Sequence, residues 1–305
     1  MSQLPSRPSR LTEWIVRVGL SSRIGVLAAE YFIARWLTKP AHKRISRTPL
    51  ELGLSWEALT CVTEDSHSLR GWLVSPASPR ATVLLFHGIR HNRQQMLSRV
   101  AFLVPAGYRC VVFDHRAHGE SDGRRVSFGY HERHDVRAVL RLARQRWPEQ
   151  PLGILGMSMG AAAICFGAAE VAQHCKAVII ESLYHDILCA FANRLQSGYY
   201  PSYFRHLVQG VIRRCERRIG ESAQVLTPAD WIAALAPVPF LLVSGSQDEH
   251  ATPAEAERLF ARRQGPGEFL LVPGAGHEDV CEVGGDLYRN KVLDFFARHL
   301  FGSRA

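Results

Sequence analysis

Five short, almost wholly apolar segments, separated by stretches with helical periodicity, restrict the fold of this chain more than any other feature of its sequence. Strands that are buried on both faces have this composition. The segments are ATVLLF (81–86), YRCVVFD (108–114), LGILG (152–156), AVIIE (177–181) and PFLLVSG (239–245). Apolar residues recur at helical spacing in residues 92–104, 129–147, 159–173, 253–263 and 287–300. This alternation predicts an α/β fold with a mostly parallel, twisted sheet and helices on both of its faces.

Three further segments extend the predicted sheet. EALTCVTED (57–65) and SLRGWLVSP (68–76) alternate polar and apolar residues, and the turn sequence DSHS joins them. They predict an antiparallel pair of strands ahead of the parallel ones. EFLLVPG (268–274) predicts a last strand near the end of the chain.

The seven cysteines are widely spaced and form no CxxC pair, unlike those of a disulfide scaffold. We therefore expect free thiols that act mainly as small core residues. A reducing compartment is the expected location, which makes the protein cytoplasmic.

The net charge of +9 is concentrated at the N-terminus, where residues 1–47 hold nine Arg or Lys and two acids. Nucleic-acid binding is disfavoured, because this positive charge is confined to one segment that lacks interleaved base-stacking motifs. We treat residues 1–47 as a basic N-terminal arm and residues 48–305 as the α/β domain.

Within the arm, residues 11–37 predict an amphipathic helix. Its charged residues leave no apolar stretch of the roughly 18 residues that a membrane span needs. They also interrupt any signal-peptide core. Such a helix packs on its own domain, lies on an anionic membrane surface as a peripheral anchor, or contacts a partner protein.

Residues 184–236 form a connection far longer than those between the other strands. Insertions of this length typically fold over the ligand crevice, so this segment predicts a small helical lid. Its aromatic residues are expected either to line a substrate pocket or to pack on the domain: Tyr199, Tyr200, Tyr203 and Phe204.

The sequence GMSMG places Ser158 between Gly156 and Gly160, at the end of a predicted buried strand and the start of an apolar helix. In this context G-x-S-x-G predicts a sharp, strained turn that exposes a nucleophilic hydroxyl. The helix N-terminus behind it offers backbone N–H groups to a developing negative charge.

A serine nucleophile needs a base and an acid, which for this geometry follow in the order Ser, Asp or Glu, His. Asp248 comes directly after a predicted strand, and His277 lies in a Gly-rich loop after the next one. We assign Asp248 as the acid and His277 as the base. Glu249 and Asp186 are the alternative acids, and His250 is expected at the surface or beside the site.

The backbone N–H groups of Ile89 and Met159 are the predicted oxyanion hole. Gly88 permits the tight turn that would free the Ile89 N–H, and His87 is expected to hold the loop in shape. Asn92 with Gln95 matches a capping box for the next helix.

The loop FDHRAHGESDG (113–123) is expected to be held by its own hydrogen bonds beside the crevice. A metal site at Asp114, His115 and His118 is disfavoured, because nothing else has ligand spacing. We predict no metal and no cofactor.

Together, LLFHG…NR, FDHRAHGESDG, GMSMG, SGSQDEHATP and GAGHED resemble the α/β-hydrolase superfamily over about residues 55–302. Within it they are similar to the serine aminopeptidase-like and dienelactone hydrolase-like branch. The resemblance implies Ser158 as nucleophile, Asp248 as acid, His277 as base, and the Ile89 and Met159 amides as the oxyanion hole. Ala117 departs from the glycine that such proteins often have in the D-x-R-G-H-G loop.

The expected activity is that of a metal-independent serine hydrolase that cleaves a small-molecule or lipid acyl ester through an acyl-enzyme. Thioesterase, lipase and peptidase activities are alternatives, because the same site serves all of them. A non-catalytic binding module of the same fold is disfavoured, because decayed relatives commonly lose one of the three side chains and all three are present.

Overall fold

An eight-stranded sheet runs through the computed structural model, which describes residues 22–198 and 206–301. Its strands lie in the order β1-β2-β4-β3-β5-β6-β7-β8. Their bounds are β1 Glu57–Val62, β2 Ser68–Val74, β3 Ala81–Phe86, β4 Tyr108–Phe113, β5 Leu152–Met157, β6 Ala177–Glu181, β7 Phe240–Gly245 and β8 Gly267–Val272.

β2 pairs antiparallel with β1 and with β4, and every other pairing is parallel. β3 and β5 are buried at every position, as expected for strands covered on both faces. The predicted α/β fold class, with its antiparallel first pair, is confirmed.

Helices cover both faces of the sheet. Their bounds are α1 Arg23–Leu37, α2 Leu97–Leu103, α3 Arg133–Arg146, α4 Met159–Phe166, α5 Ala168–His174, α6 Ile187–Gln196, α7 Val208–Ile219, α8 Pro253–Ala261 and α9 Val280–Leu300. Short 3-10 helices span Pro49–Leu52, Arg93–Met96, Ala223–Val225, Pro228–Asp230 and Ile232–Leu235. Helices α3, α4 and α5 pack in the core on one face, and α2 and α9 pack on the other.

Two predicted helices differ from the observed ones. The segment expected as one helix over 159–173 is divided at Gly167 into α4 and α5. The helix expected over 287–300 begins earlier, at Val280, with a kink at Gly285. Gly285 has φ 49°, a conformation that glycine adopts without steric cost, so the chain bends here between two helical stretches.

The described part of the basic arm packs on the segment predicted as a lid. α1 lies against α7, where Arg214 Nε contacts Glu30 Oε2 at 3.2 Å. A Cβ at Gly210 would lie 1.8 Å from the Glu30 carboxylate, so the close approach depends on this glycine. Residues 1–21 of the arm, together with Tyr199, Tyr200, Tyr203 and Phe204, lie outside the described residues.

All seven cysteines are free thiols, and five of them are buried. Burial raises the pKa of Cys165 and of Cys175 to about 12, so neither thiol ionises near neutral pH. The prediction of core cysteines holds for these five. Among the described residues, no helix is both long enough and apolar enough to cross a bilayer.

Candidate active site

Ser158 occupies a strained turn between β5 and α4, with φ 51° and ψ −109°. Its N–H donates to the carbonyl oxygen of Glu181 at 2.8 Å, which ties the turn to the end of β6. A Cβ at Gly156 would lie 2.7 Å from the backbone of Gly160, and a Cβ at Gly160 would lie 2.5 Å from the carbonyl oxygen of Phe86. The two glycines therefore let helix and strands approach closely enough to make this bend.

The structure joins Ser158, His277 and Asp248 by hydrogen bonds. Ser158 Oγ lies 3.0 Å from His277 Nε2. His277 Nδ1 lies 2.8 Å from Asp248 Oδ2 and 3.1 Å from Oδ1. Asp248 follows β7 and His277 follows β8, so two parallel strands deliver both side chains to the edge of the sheet where Ser158 lies.

Asp248 is buried, and its carboxylate is fully engaged. Oδ1 also accepts from the N–H groups of His250 and Ala251, each at 2.8 Å. Burial alone would raise the pKa of Asp248, but the interaction with His277 and these hydrogen bonds lower it below its usual value. The ionised carboxylate accepts a hydrogen bond from the protonated Nδ1 of His277, which leaves Nε2 as the acceptor that faces the serine hydroxyl.

The two alternative acids lie elsewhere. Asp186 Oδ1 accepts from the Cys189 N–H at 2.8 Å and caps α6, while its Oδ2 lies 2.9 Å from His185 Nδ1. Glu249 is exposed. Within the described part of the chain, neither carboxylate is hydrogen-bonded to His277.

His250 is part of the pocket wall, closer to the site than a surface position. Its ring centroid lies 5.2 Å from that of His277. Burial, with the nearby charge of Arg194, lowers the pKa of His250 to about 4. The His250 imidazole is therefore neutral at physiological pH.

The two predicted oxyanion donors, Ile89 and Met159, line the same pocket as Ser158. In the chain from 22 to 198 and from 206 to 301, no hydrogen bond is found to either N–H. A Cβ at Gly88 would lie 3.6 Å from Ser158 Cβ, so the loop passes directly beside the serine. Two N–H groups are thus available near the hydroxyl.

His87 orients the Ile89 N–H. Its Nε2 accepts from the His115 N–H at 3.1 Å, so its Nδ1 carries the proton and donates to the Gly88 carbonyl at 2.7 Å. The carbonyl of Gly88 and the N–H of Ile89 belong to one planar peptide and point in opposite directions. Holding the carbonyl therefore turns the Ile89 N–H the other way, as expected of a residue that shapes the loop.

Two more side chains fix this loop, and sequence reasoning missed both roles. His118 Nε2 accepts from the Arg90 N–H at 3.1 Å. Gln95 Oε1 accepts from the Gly88 N–H at 2.8 Å. The predicted capping box is therefore wrong: the Asn92 side chain accepts from the Gln94 N–H and not from that of Gln95, and the Gln95 side chain accepts from the Gly88 N–H.

The loop 113–123 is held by its own contacts, as predicted. Asp114 Oδ2 accepts from the Arg93 side chain at 2.6 Å and from the Glu120 N–H at 3.0 Å, and its Oδ1 accepts from the Arg93 N–H at 2.6 Å. Ala117 has φ 58°, in the left-handed region that glycine adopts more easily than alanine. His115 and His118 are fully buried and take part in the same network.

The pocket around Ser158 has a volume of about 280 Å³. Its walls are mainly apolar, with Phe128, Tyr184 and Phe191 among them. Trp36 and Leu37 of α1 also contribute, a role for the arm that its sequence gave no sign of. The charged residues of the lining are Lys43, Arg90, Arg194 and Glu278.

The family model for serine aminopeptidases, S33, matches residues 77–197. The uncharacterized protein YqkD of Bacillus subtilis is 25% identical over 232 residues, which cover 75% of each chain. The uncharacterized protein YfhR of Escherichia coli is 26% identical over 253 residues, covering 79% of this chain and 80% of the relative.

Among solved structures, the Pyrococcus furiosus esterase Pf2001 superposes with a TM-score of 0.74 at 23% identity. The alignment covers 87% of this chain and 98% of the esterase. At this identity the likeness establishes the shared fold.

Proposed function

We propose that the chain is a serine hydrolase of the α/β-hydrolase superfamily and that it cleaves acyl esters. The observation that carries this proposal is the unbroken series of hydrogen bonds from Ser158 Oγ through His277 to Asp248. That series supplies a nucleophile, a base and an oriented anion in the arrangement that acyl transfer requires.

In the proposed mechanism, Ser158 Oγ attacks the acyl carbonyl carbon while His277 Nε2 takes the hydroxyl proton. The oxyanion accepts hydrogen bonds from the N–H groups of Ile89 and Met159. The carbon–oxygen bond to the leaving alcohol then breaks as His277 returns the proton to that oxygen. Water attacks the acyl-enzyme with His277 again as base, which releases the carboxylic acid and restores Ser158.

The pocket favours an ester over a peptide N-terminus. An aminopeptidase binds a protonated amine and so needs a free carboxylate near the reacting bond. Among the described residues of the lining, Glu278 is the one acid and lies 3.3 Å from His91, whereas three side chains are cationic. A substrate with an apolar acyl group and a neutral or anionic leaving group fits this lining best. Carboxylic esters, thioesters and lipid esters all meet this description.

Labelling by a fluorophosphonate probe and turnover of p-nitrophenyl butyrate test the proposal. We expect wild type to show both, and Ser158→Ala to lose labelling and at least about 10³-fold in turnover. Ser244→Ala is the matched control, because it removes a buried hydroxyl at the end of β7 that has no hydrogen-bond partner among the described residues. Labelling of Ser158→Ala, or loss of both signals in the control alone, would contradict the assignment, and an inactive, unlabelled wild type would favour a binding module.

A further inference from the structure

One face of α1 exposes four large apolar side chains: Ile24, Leu27, Tyr31 and Phe32 are 81%, 50%, 45% and 65% exposed. They follow the spacing i, i+3, i+7 and i+8, which places them on one side of a helix. The opposite side packs in the protein, where Glu30, Ala34 and Leu37 are buried. An apolar surface of this kind costs free energy in water and marks an interaction site.

The same segment is strongly basic at its surface. Arg23, Arg35, Lys39, Arg44 and Arg47 are all exposed. The one acid between residues 22 and 47, Glu30, is buried and paired with Arg214. Arg213 and Arg217 add exposed positive charge on the neighbouring α7. The partner of this surface therefore has to combine negative charge with an apolar layer.

The exposed face leads to the pocket. Trp36 and Leu37, in the last turn of α1, line the cavity that contains Ser158. The Arg90 guanidinium lies 3.9 Å from the centre of the Trp36 ring and donates to the Trp36 carbonyl at 2.9 Å. This contact joins the helix to the loop beside Ser158, so whatever α1 binds is held close to the pocket mouth.

We propose that α1 docks the protein on an anionic membrane surface, with Ile24, Leu27, Tyr31 and Phe32 inserted at the boundary between headgroups and acyl chains. Basic amphipathic helices bind bilayers in this way, through buried apolar area and attraction to anionic lipids. A second copy of the same face is a poor partner, because a symmetric contact would bring two basic surfaces together. The docked helix places the pocket mouth beside lipid acyl chains, and the further consequence that lipid esters are substrates rests on the proposed function.

Co-sedimentation of the full chain with vesicles tests the docking. We expect wild type to pellet with phosphatidylcholine vesicles that contain phosphatidylglycerol and to bind pure phosphatidylcholine far more weakly. Leu27→Ser with Phe32→Ser should lower the partition coefficient at least about tenfold, because burial of each side chain drives insertion. Arg35→Gln with Lys39→Gln should lower it about fivefold per charge on the anionic vesicles alone.

Leu50→Ser with Val62→Ser is the matched control, since Leu50 and Val62 are 66% and 63% exposed but lie outside α1. The proposal is overturned if this control loses as much binding as the α1 variant, or if the α1 variant pellets as wild type does. It is also overturned if wild type does not pellet with vesicles and instead forms oligomers that the α1 substitutions convert to monomers. Turnover of p-nitrophenyl butyrate in solution monitors folding separately, so an inactive protein that still binds vesicles would refute the proposed function and leave the docking intact.

Discussion

His277 and a cluster of three other histidines lie near the carboxyl edge of the same sheet and differ in their surroundings. His277 lines the pocket, and its Nε2 faces the Ser158 hydroxyl. His87, His115 and His118 are fully buried, and the Nε2 atoms of His87 and His118 each accept from a backbone N–H. The first arrangement leaves an imidazole nitrogen facing a reacting group, whereas in the second the rings of His87 and His118 are acceptors that shape a loop.

The carboxylates beside the two groups differ in the same sense. Asp135, beside His115, accepts from the Arg116 Nε at 2.8 Å, so a permanent cation balances its charge. Asp248 is held by backbone N–H groups and by His277. The negative charge of Asp248 can therefore stabilise an imidazolium at His277, whereas that of Asp135 already forms a buried ion pair with Arg116. In this chain, the pair in which no permanent cation binds the carboxylate is the one that faces the serine hydroxyl.

The largest expected effect is on turnover in Asp248→Asn. We expect kcat for p-nitrophenyl butyrate to fall about 10³–10⁴-fold, because an amide neither fixes the required tautomer of His277 nor stabilises its cation. The melting temperature should change little, since the amide oxygen still accepts from the His250 and Ala251 N–H groups. A loss below tenfold would mean that Asp248 is only a capping residue of its loop.

The next effect is on stability in Asp135→Ala. Removing this carboxylate leaves the buried Arg116 without one of its partners, and breaking such a pair costs about 3–5 kcal/mol of unfolding free energy. Urea unfolding measures this cost, and kcat per folded molecule should fall far less than in Asp248→Asn. Asp286→Ala is the control, since its ion pair with Arg289 is exposed and contributes at most about 1 kcal/mol. Equal unfolding midpoints for the two variants would remove the distinction between the two carboxylates.

Sequence reasoning predicts the parts of this molecule that depend on local pattern. Apolar runs identify the strands, and the positions of Ser158, Asp248 and His277 after β5, β7 and β8 follow from the order of the chain. The contacts of Gln95 with Gly88 and of His118 with Arg90 join residues whose pairing has no periodic signal. The contribution of Trp36 to the pocket could likewise not be predicted from the sequence, because it depends on how α1 packs against α7.

The smallest expected effect is on the pH dependence of stability, and it isolates His118. Burial lowers the pKa of His118 from 6.5 to about 3, although its hydrogen bond to the Arg116 carbonyl and the charge of Asp135 oppose the shift. Between these two values the unfolded chain binds a proton that the folded protein does not, so stability falls as the pH falls from about 6.5 towards 3. His87, whose pKa burial also lowers, acts in the same direction.

His118→Gln removes one titrating group from this balance and keeps a side-chain acceptor. Between pH 6 and pH 5, the unfolding free energy of the variant should therefore fall less steeply than that of wild type, by roughly 1 kcal/mol per pH unit. His206→Gln, at an exposed position, should leave the slope unchanged. Protonation of His118 would also remove the acceptor of the Arg90 N–H and so loosen the loop that carries Ile89. Acid should therefore weaken binding of a boronic acid inhibitor more in wild type than in His118→Gln. Parallel slopes in the two proteins would mean that His118 titrates in the folded state as it does in the unfolded chain, and that His118 is not a fixed neutral acceptor.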